Sequence, residues 1–145
     1  MNAKLVAAAV AVMALGALGA YGIFAGQGVA APTAQAAAGR AMVEVALPAQ
    51  LSATAKLGET AFNARCASCH GVNAAGRAGV APPLIHKIYE PGHHGDMSFL
   101  MAARNGARAH HWRFGDMPPV PGLTDAEIGA IITYVREVQR ANGIY

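Results

Sequence analysis

Only two of the 145 residues are cysteine, Cys66 and Cys69. A closed structural zinc site usually adds a second Cys pair or a Cys/His pair at ligand spacing, and this chain has no second pair. A thioredoxin-like dithiol calls for a βαβ setting, whereas the residues flanking this pair read as helix. Charge is scarce as well, at 13% of residues. The basic residues are few and scattered, so the clustered footprint of a nucleic-acid binder is missing. No stretch alternates apolar and polar residues as a half-buried strand does, and there is no internal repeat. Nothing points to a substrate pocket, so enzymatic activity is not expected. The length suits one domain of ordinary size.

The two cysteines stand in Cys66-Ala67-Ser68-Cys69-His70. This is C-x-x-C-H, the attachment pattern of a c-type haem. Each thiol can add across one vinyl group, and two intervening residues match the separation of the vinyls. His70, tethered at the ring, then reaches the iron from the same side. The expected cofactor is one covalent haem c. A second iron ligand is offered by Gly115-Asp116-Met117-Pro118-Pro119, 47 residues beyond His70 (117 − 70). A thioether is a soft, neutral donor, and His/Met ligation raises the potential. Methionine also serves as core filler. That role suits Met97 and Met101, on a predicted helix, better than Met117 between prolines and charges. His70 and Met117 are the candidate metal ligands.

Helical signals surround these residues. Ser52 is a plausible N-cap for a helix running to about Cys66, with Leu57, Phe62 and Ala61 on one face. Gly58 costs helix propensity, which makes sense if another helix passes close to its backbone. Residues 72–83 are rich in Gly, Asn and Pro and read as loop. Asp96 is a candidate cap for a short helix over Met97 to Arg104, ending near Gly106. Thr124 to Glu127 forms a capping box. Behind it Ile128, Ile131, Ile132, Val135 and Val138 recur at helical spacing.

Gly58 and Phe62 before C-x-x-C-H, then Ala81-Pro82-Pro83-Leu84, a Met-Pro loop and a last helix with Ile131 and Tyr134 form a recognisable set. Over roughly residues 50–142 the chain resembles class I c-type cytochromes. The resemblance implies an all-α, cytochrome c-like fold of a few helices around one covalent haem, in a domain of residues 49–145. It implies that the first and last helices of that domain cross at a Gly/aromatic contact. It also implies that the Pro82 carbonyl accepts from His70 Nδ1–H, that Leu84 packs on the haem face, and that Trp112 or Arg113 reaches a propionate. A departure from the pattern is the histidine-rich stretch His86, His93, His94, His110 and His111, near Met97 and Met101. Imidazole and thioether suit a soft metal such as copper; exposed loop histidines are the plainer reading.

Before the domain, Leu5 to Phe24 is an uncharged run of 20 residues, preceded by Lys4 and followed by no Lys or Arg until Arg40. Its length matches a bilayer, and the charge bias places Lys4 inside. Residues 1–24 are thus expected to form an N-terminal hydrophobic helix anchoring the protein to the periplasmic face of a bacterial cytoplasmic membrane. Small-x-small sites at Gly28-Val29-Ala30 and Ala34-Gln35-Ala36 keep open a cleaved signal and a soluble periplasmic product. Residues 25–48, rich in Ala, Gly and Pro, are expected to be a linker. Three functions follow. The first is a carrier shuttling single electrons between a redox protein donor and acceptor. The second is a dedicated haem subunit or electron acceptor of a periplasmic dehydrogenase or metal oxidase, its His-rich segment serving the partner or a metal. The third, an enzyme or gas sensor with an open iron site, is opposed by Met117.

Overall fold

The computed structural model describes residues 39–145. The expected anchor over Leu5–Phe24 and the first part of the linker lie outside the described residues. Among the described residues four α-helices make the frame: α1 (Ala53–Arg65), α2 (Ala67–His70), α3 (Asp96–Asn105) and α4 (Asp125–Ala141). Short 3-10 turns occupy Val72–Ala74 and Lys87–Tyr89. Among the described residues there is no strand, only isolated antiparallel bridges between Arg77 and Ala81 and between Ala107 and Met117. None of the described helices is long and apolar enough to cross a membrane.

The first and last helices are packed on each other, and their residues explain how closely. A Cβ on Gly58 would stand 1.9 Å from the Ala130 carbonyl oxygen, so only glycine lets the two backbones touch. One turn on, the rings of Phe62 and Tyr134 meet with centroids 5.6 Å apart, and both side chains are fully buried. Ala55, Ile131, Val135, Val138, Ala74 and Ile85 complete this core. Burying Phe62 in this way is worth about 1.5–3 kcal/mol. The Ser52 hydroxyl caps α1 by accepting from Ala55 N–H, and Thr124 and Glu127 close the capping box of α4.

Several expectations are corrected. Leu57 is 70% exposed, so it does not share the buried face with Phe62. The cap of α3 is Gly95 rather than Asp96; the Asp96 carboxylate instead bonds to Arg136. Met97 and Met101 do not fill the core, being 66% and 46% exposed. Phe99 takes that place, packing on Tyr89 and lying beneath the Arg136 guanidinium. Residues 39–48, which composition assigns to a linker, are tied to the domain. Gly39 N–H and Met42 N–H donate to Ala78 and Ala75 carbonyls, and Asn142 bonds both backbone groups of Ala46.

Candidate haem site

The chain enters the motif directly from α1. Cys66 N–H donates to the Phe62 carbonyl, and the Cys66 carbonyl accepts from Cys69 and His70 N–H. The motif is therefore wound into a single helical turn. Cys66 is half-buried against the core and Cys69 is exposed. Burial pushes the Cys66 thiol up to about 11, with Arg65 pulling the other way and Cys69 adding to the rise. A thiol held protonated at neutral pH is a poor redox nucleophile, which disfavours a dithiol function.

His70 is buried, and its Nδ1 lies 2.9 Å from the Pro82 carbonyl oxygen. A carbonyl only accepts, so Nδ1 carries the proton and Nε2 keeps its lone pair. Burial lowers the His70 pKa, and the Pro82 bond partly offsets this; the ring is thereby kept neutral, as a metal ligand must be. The loop that delivers Pro82 is itself pinned. Gly76 N–H donates to the His70 carbonyl, Leu84 N–H donates to the Ala74 carbonyl, and the Arg77 guanidinium donates to the Ser68 carbonyl. Leu84 is partly buried against the core. The structure thus joins Cys66, Cys69, His70 and Pro82 into one bonded unit.

A model of the cytochrome c family matches residues 55–139, from within α1 to the last turn of α4. The chain belongs to the cytochrome c family. Neither the curated proteins nor the solved structures gave a match. The cytochrome's cofactor is haem c, held covalently through the cysteines of its C-x-x-C-H motif.

Met117 sits on a second loop whose course is fixed by backbone bonds. Ala107 and Met117 exchange both N–H···O bonds, at 3.0 and 2.8 Å. Gly106 permits this approach, because its φ is +78° and a Cβ there would stand 2.4 Å from the Met117 carbonyl oxygen. Asp116 Oδ1 accepts from Ala109 N–H at 2.8 Å and folds the intervening segment back on itself. Met117 is half-buried there.

Trp112, in that folded-back segment, stacks on Phe114 and meets the edge of His86. Its Nε1–H is buried without an acceptor in hydrogen-bond geometry. Burial raises the Tyr89 phenol, and the same indole N–H tempers the rise. An unmet buried donor is costly, and a propionate carboxylate is an acceptor of the right kind. The residues present therefore fit a haem. Arg113 is exposed. A separate groove of about 410 Å³ between α3 and α4 is lined by Asp96, Met97, Leu100, Ile132 and Arg136, and holds none of the motif's residues.

Two features escaped sequence reasoning. Arg136 is only 6% exposed. It donates to the Asp96 carboxylate, the Tyr89 carbonyl, Gln139 Oε1 and the His94 carbonyl. Gln139 in turn donates to the carbonyls of Leu84 and Tyr89. The signal was present: Arg136 and Gln139 fall one turn and two turns after Ile132, inside the buried stripe of α4. The second feature is the convergence of His93, His94, His110 and His111: the stretch stood out in the sequence, its meeting in space did not.

Proposed function

We propose that this cytochrome is a monohaem carrier that moves single electrons between a donor and an acceptor protein at the periplasmic face of a bacterial membrane, with Met117 as the second iron ligand. The His70–Pro82 contact carries the reading: it fixes the ring and aims the unprotonated Nε2 away from the protein carbonyl. When bound, the haem supplies a one-electron iron couple. The chain supplies ligands, a low-dielectric shell and the thioether linkages. The paired backbone bonds of Ala107 and Met117 hold the methionine on a defined loop, which favours a closed iron over an open, catalytic one. Arg108 and Arg113 are exposed on that same loop and suit an acidic partner surface, which would act mainly on encounter rate. Arg104 does not add to that patch freely, since its guanidinium pairs with Asp125.

Cysteine and methionine variants test this directly. Cys66→Ala and Cys69→Ala each remove one thioether and are each expected to abolish normal maturation, and the double variant is expected to lose all covalent haem staining on a denaturing gel. Met117→Ala is expected to keep the stain, lower the reduction potential and let carbon monoxide bind the ferrous protein rapidly. Rapid carbon monoxide binding by the wild-type protein would overturn the carrier assignment and favour an open iron.

A further inference from the structure

Four of the histidines outside the haem motif meet at one place. His93 and His94 lie in the turn between the Lys87–Tyr89 helix and α3, while His110 and His111 lie between α3 and Met117. His93 Nε2 is 3.1 Å from His111 Nε2, and His94 Nε2 is 3.3 Å from His110 Nε2. One ring nitrogen from each of His93, His94 and His111 lies within 4.8 Å of the other two.

The tautomers follow from the backbone. His94 Nδ1 is 2.7 Å from the Ile88 carbonyl oxygen, and His110 Nδ1 is 2.8 Å from the Arg108 carbonyl oxygen. Both Nδ1 atoms therefore carry protons, and in the neutral rings both Nε2 atoms present lone pairs. Two lone pairs facing at 3.3 Å repel unless something electron-poor lies between them. A proton relieves one pair and leaves a cationic ring packed among three others. A single metal cation relieves the whole cluster. An Nδ1–H donated to a carbonyl is also the outer bond that a ligating histidine uses to fix its ring. His94 is held a second way, because the buried Arg136 donates to its carbonyl at 2.5 Å.

We propose that His93, His94 and His111, with His110 as fourth donor, bind one divalent first-row metal ion of the zinc or copper class. Metal–nitrogen bonds of about 2.0–2.1 Å set tetrahedral ligand nitrogens about 3.3–3.4 Å apart; the His94–His110 pair has that spacing at 3.3 Å, and the His93–His111 pair at 3.1 Å needs to open only slightly. Neutral imidazoles suit these ions. Among the described residues no carboxylate joins the group, and calcium and magnesium want oxygen ligands. The ion would clip the 93–94 turn to the 110–111 loop. That loop is tied to Met117 through the Asp116–Ala109 bond and the Ala107–Met117 bridge. Metal at this site therefore restrains the segment that carries the methionine.

The test uses the full-length holoprotein, purified without a histidine tag and stripped with a chelator. Zn(II) and Cu(II) are titrated separately against a competing chelator, and bound metal is counted apart from iron by elemental mass spectrometry. The wild type is expected to bind one equivalent and to melt higher with the ion than without. The double variant His93→Gln, His111→Gln is expected to lose at least the roughly 10–100-fold in affinity that losing even an outer partner costs. Iron content and the reduced haem spectrum should match in both proteins, which separates this test from that of the carrier reading. Equal affinity in the variant, or binding well below one equivalent, would show that adjacent exposed histidines chelate adventitiously. Should the variant lose its haem, Co(II) in the wild type keeps the question open to measurement. Ligand-field bands of a tetrahedral nitrogen site support the proposal, and their absence overturns it.

Discussion

At the scale of single residues, function and stability divide between two kinds of side chain. Cys66, Cys69 and His70 could be read directly, because their spacing is dictated by covalent chemistry that tolerates little variation. Arg136 could not be read so, although it sits at the centre of a network reaching Asp96, Tyr89, His94 and Gln139. Its partners are 40, 47 and 42 positions away for Asp96, Tyr89 and His94, mostly as backbone carbonyls, and no spacing rule exposes such contacts. Arg136→Met leaves half-buried acceptors unmet, at about 1–3 kcal/mol each. The expected loss is about 2–4 kcal/mol in a denaturant melt. Asp96→Ala removes a partner that is 68% exposed, and screening by water holds its cost to about 1 kcal/mol or less. Equal losses for the two variants would mean that the ion pair, rather than the carbonyl bonds, makes the network matter.

At the scale of elements, the contact between α1 and α4 is set by one missing side chain. Gly58→Val improves helix propensity, yet its Cβ alone would invade the Ala130 carbonyl. Overpacking of this kind costs about 1–3 kcal/mol, so the variant should melt lower than the wild type; an unchanged midpoint would deny the close approach. The start of α4 offers a pH test. Hydrogen bonds from the Thr124 backbone and hydroxyl hold the Glu127 carboxyl below its ordinary value of 4.5. A depressed carboxylate contributes stability above about pH 4.5, and that contribution is lost as pH falls through the lower, folded-state value. Thr124→Ala should cost about 0.5–2 kcal/mol at neutral pH and soften the decline of stability in the acid range by the hydroxyl's share, the larger backbone N–H bond remaining. A decline as steep as that of the wild type would detach it from the cap. Leu57 teaches the complementary lesson: three apolar positions can share a predicted face, and the partner helix still covers only some of them.

At the scale of the whole molecule, the domain begins earlier than composition suggests. Residues 25–48 taken together are rich in Ala, Gly and Pro, which is why 39–48 read as tether, but backbone bonds to Ala75, Ala78 and Asn142 and the packing of Val43 and Val45 on the core dock that segment. We expect the Leu5–Phe24 run to hold the cytochrome on the membrane. Mass spectrometry of membrane and soluble fractions checks this: an intact N-terminus with haem mass in the membrane fraction supports the anchor. A soluble protein beginning at Ala31 or Ala37 would make it a freely diffusing carrier.

The sequence by itself determined the attachment chemistry, the helical class, the capping box and the glycine at the crossing, because each is encoded in neighbouring residues or a fixed short spacing. It also singled out Met117, through the prolines that follow it. Tertiary structure alone decided which faces are covered, hence the exposure of Leu57, Met97 and Met101. It alone brought His93 and His94 to His110 and His111. Those pairs are separated by the whole of α3, and only the turn at Gly106 and the Ala107–Met117 bridge fold the second pair back onto the first. Local chemistry is written in order along the chain, whereas convergence depends on how the connecting elements pack.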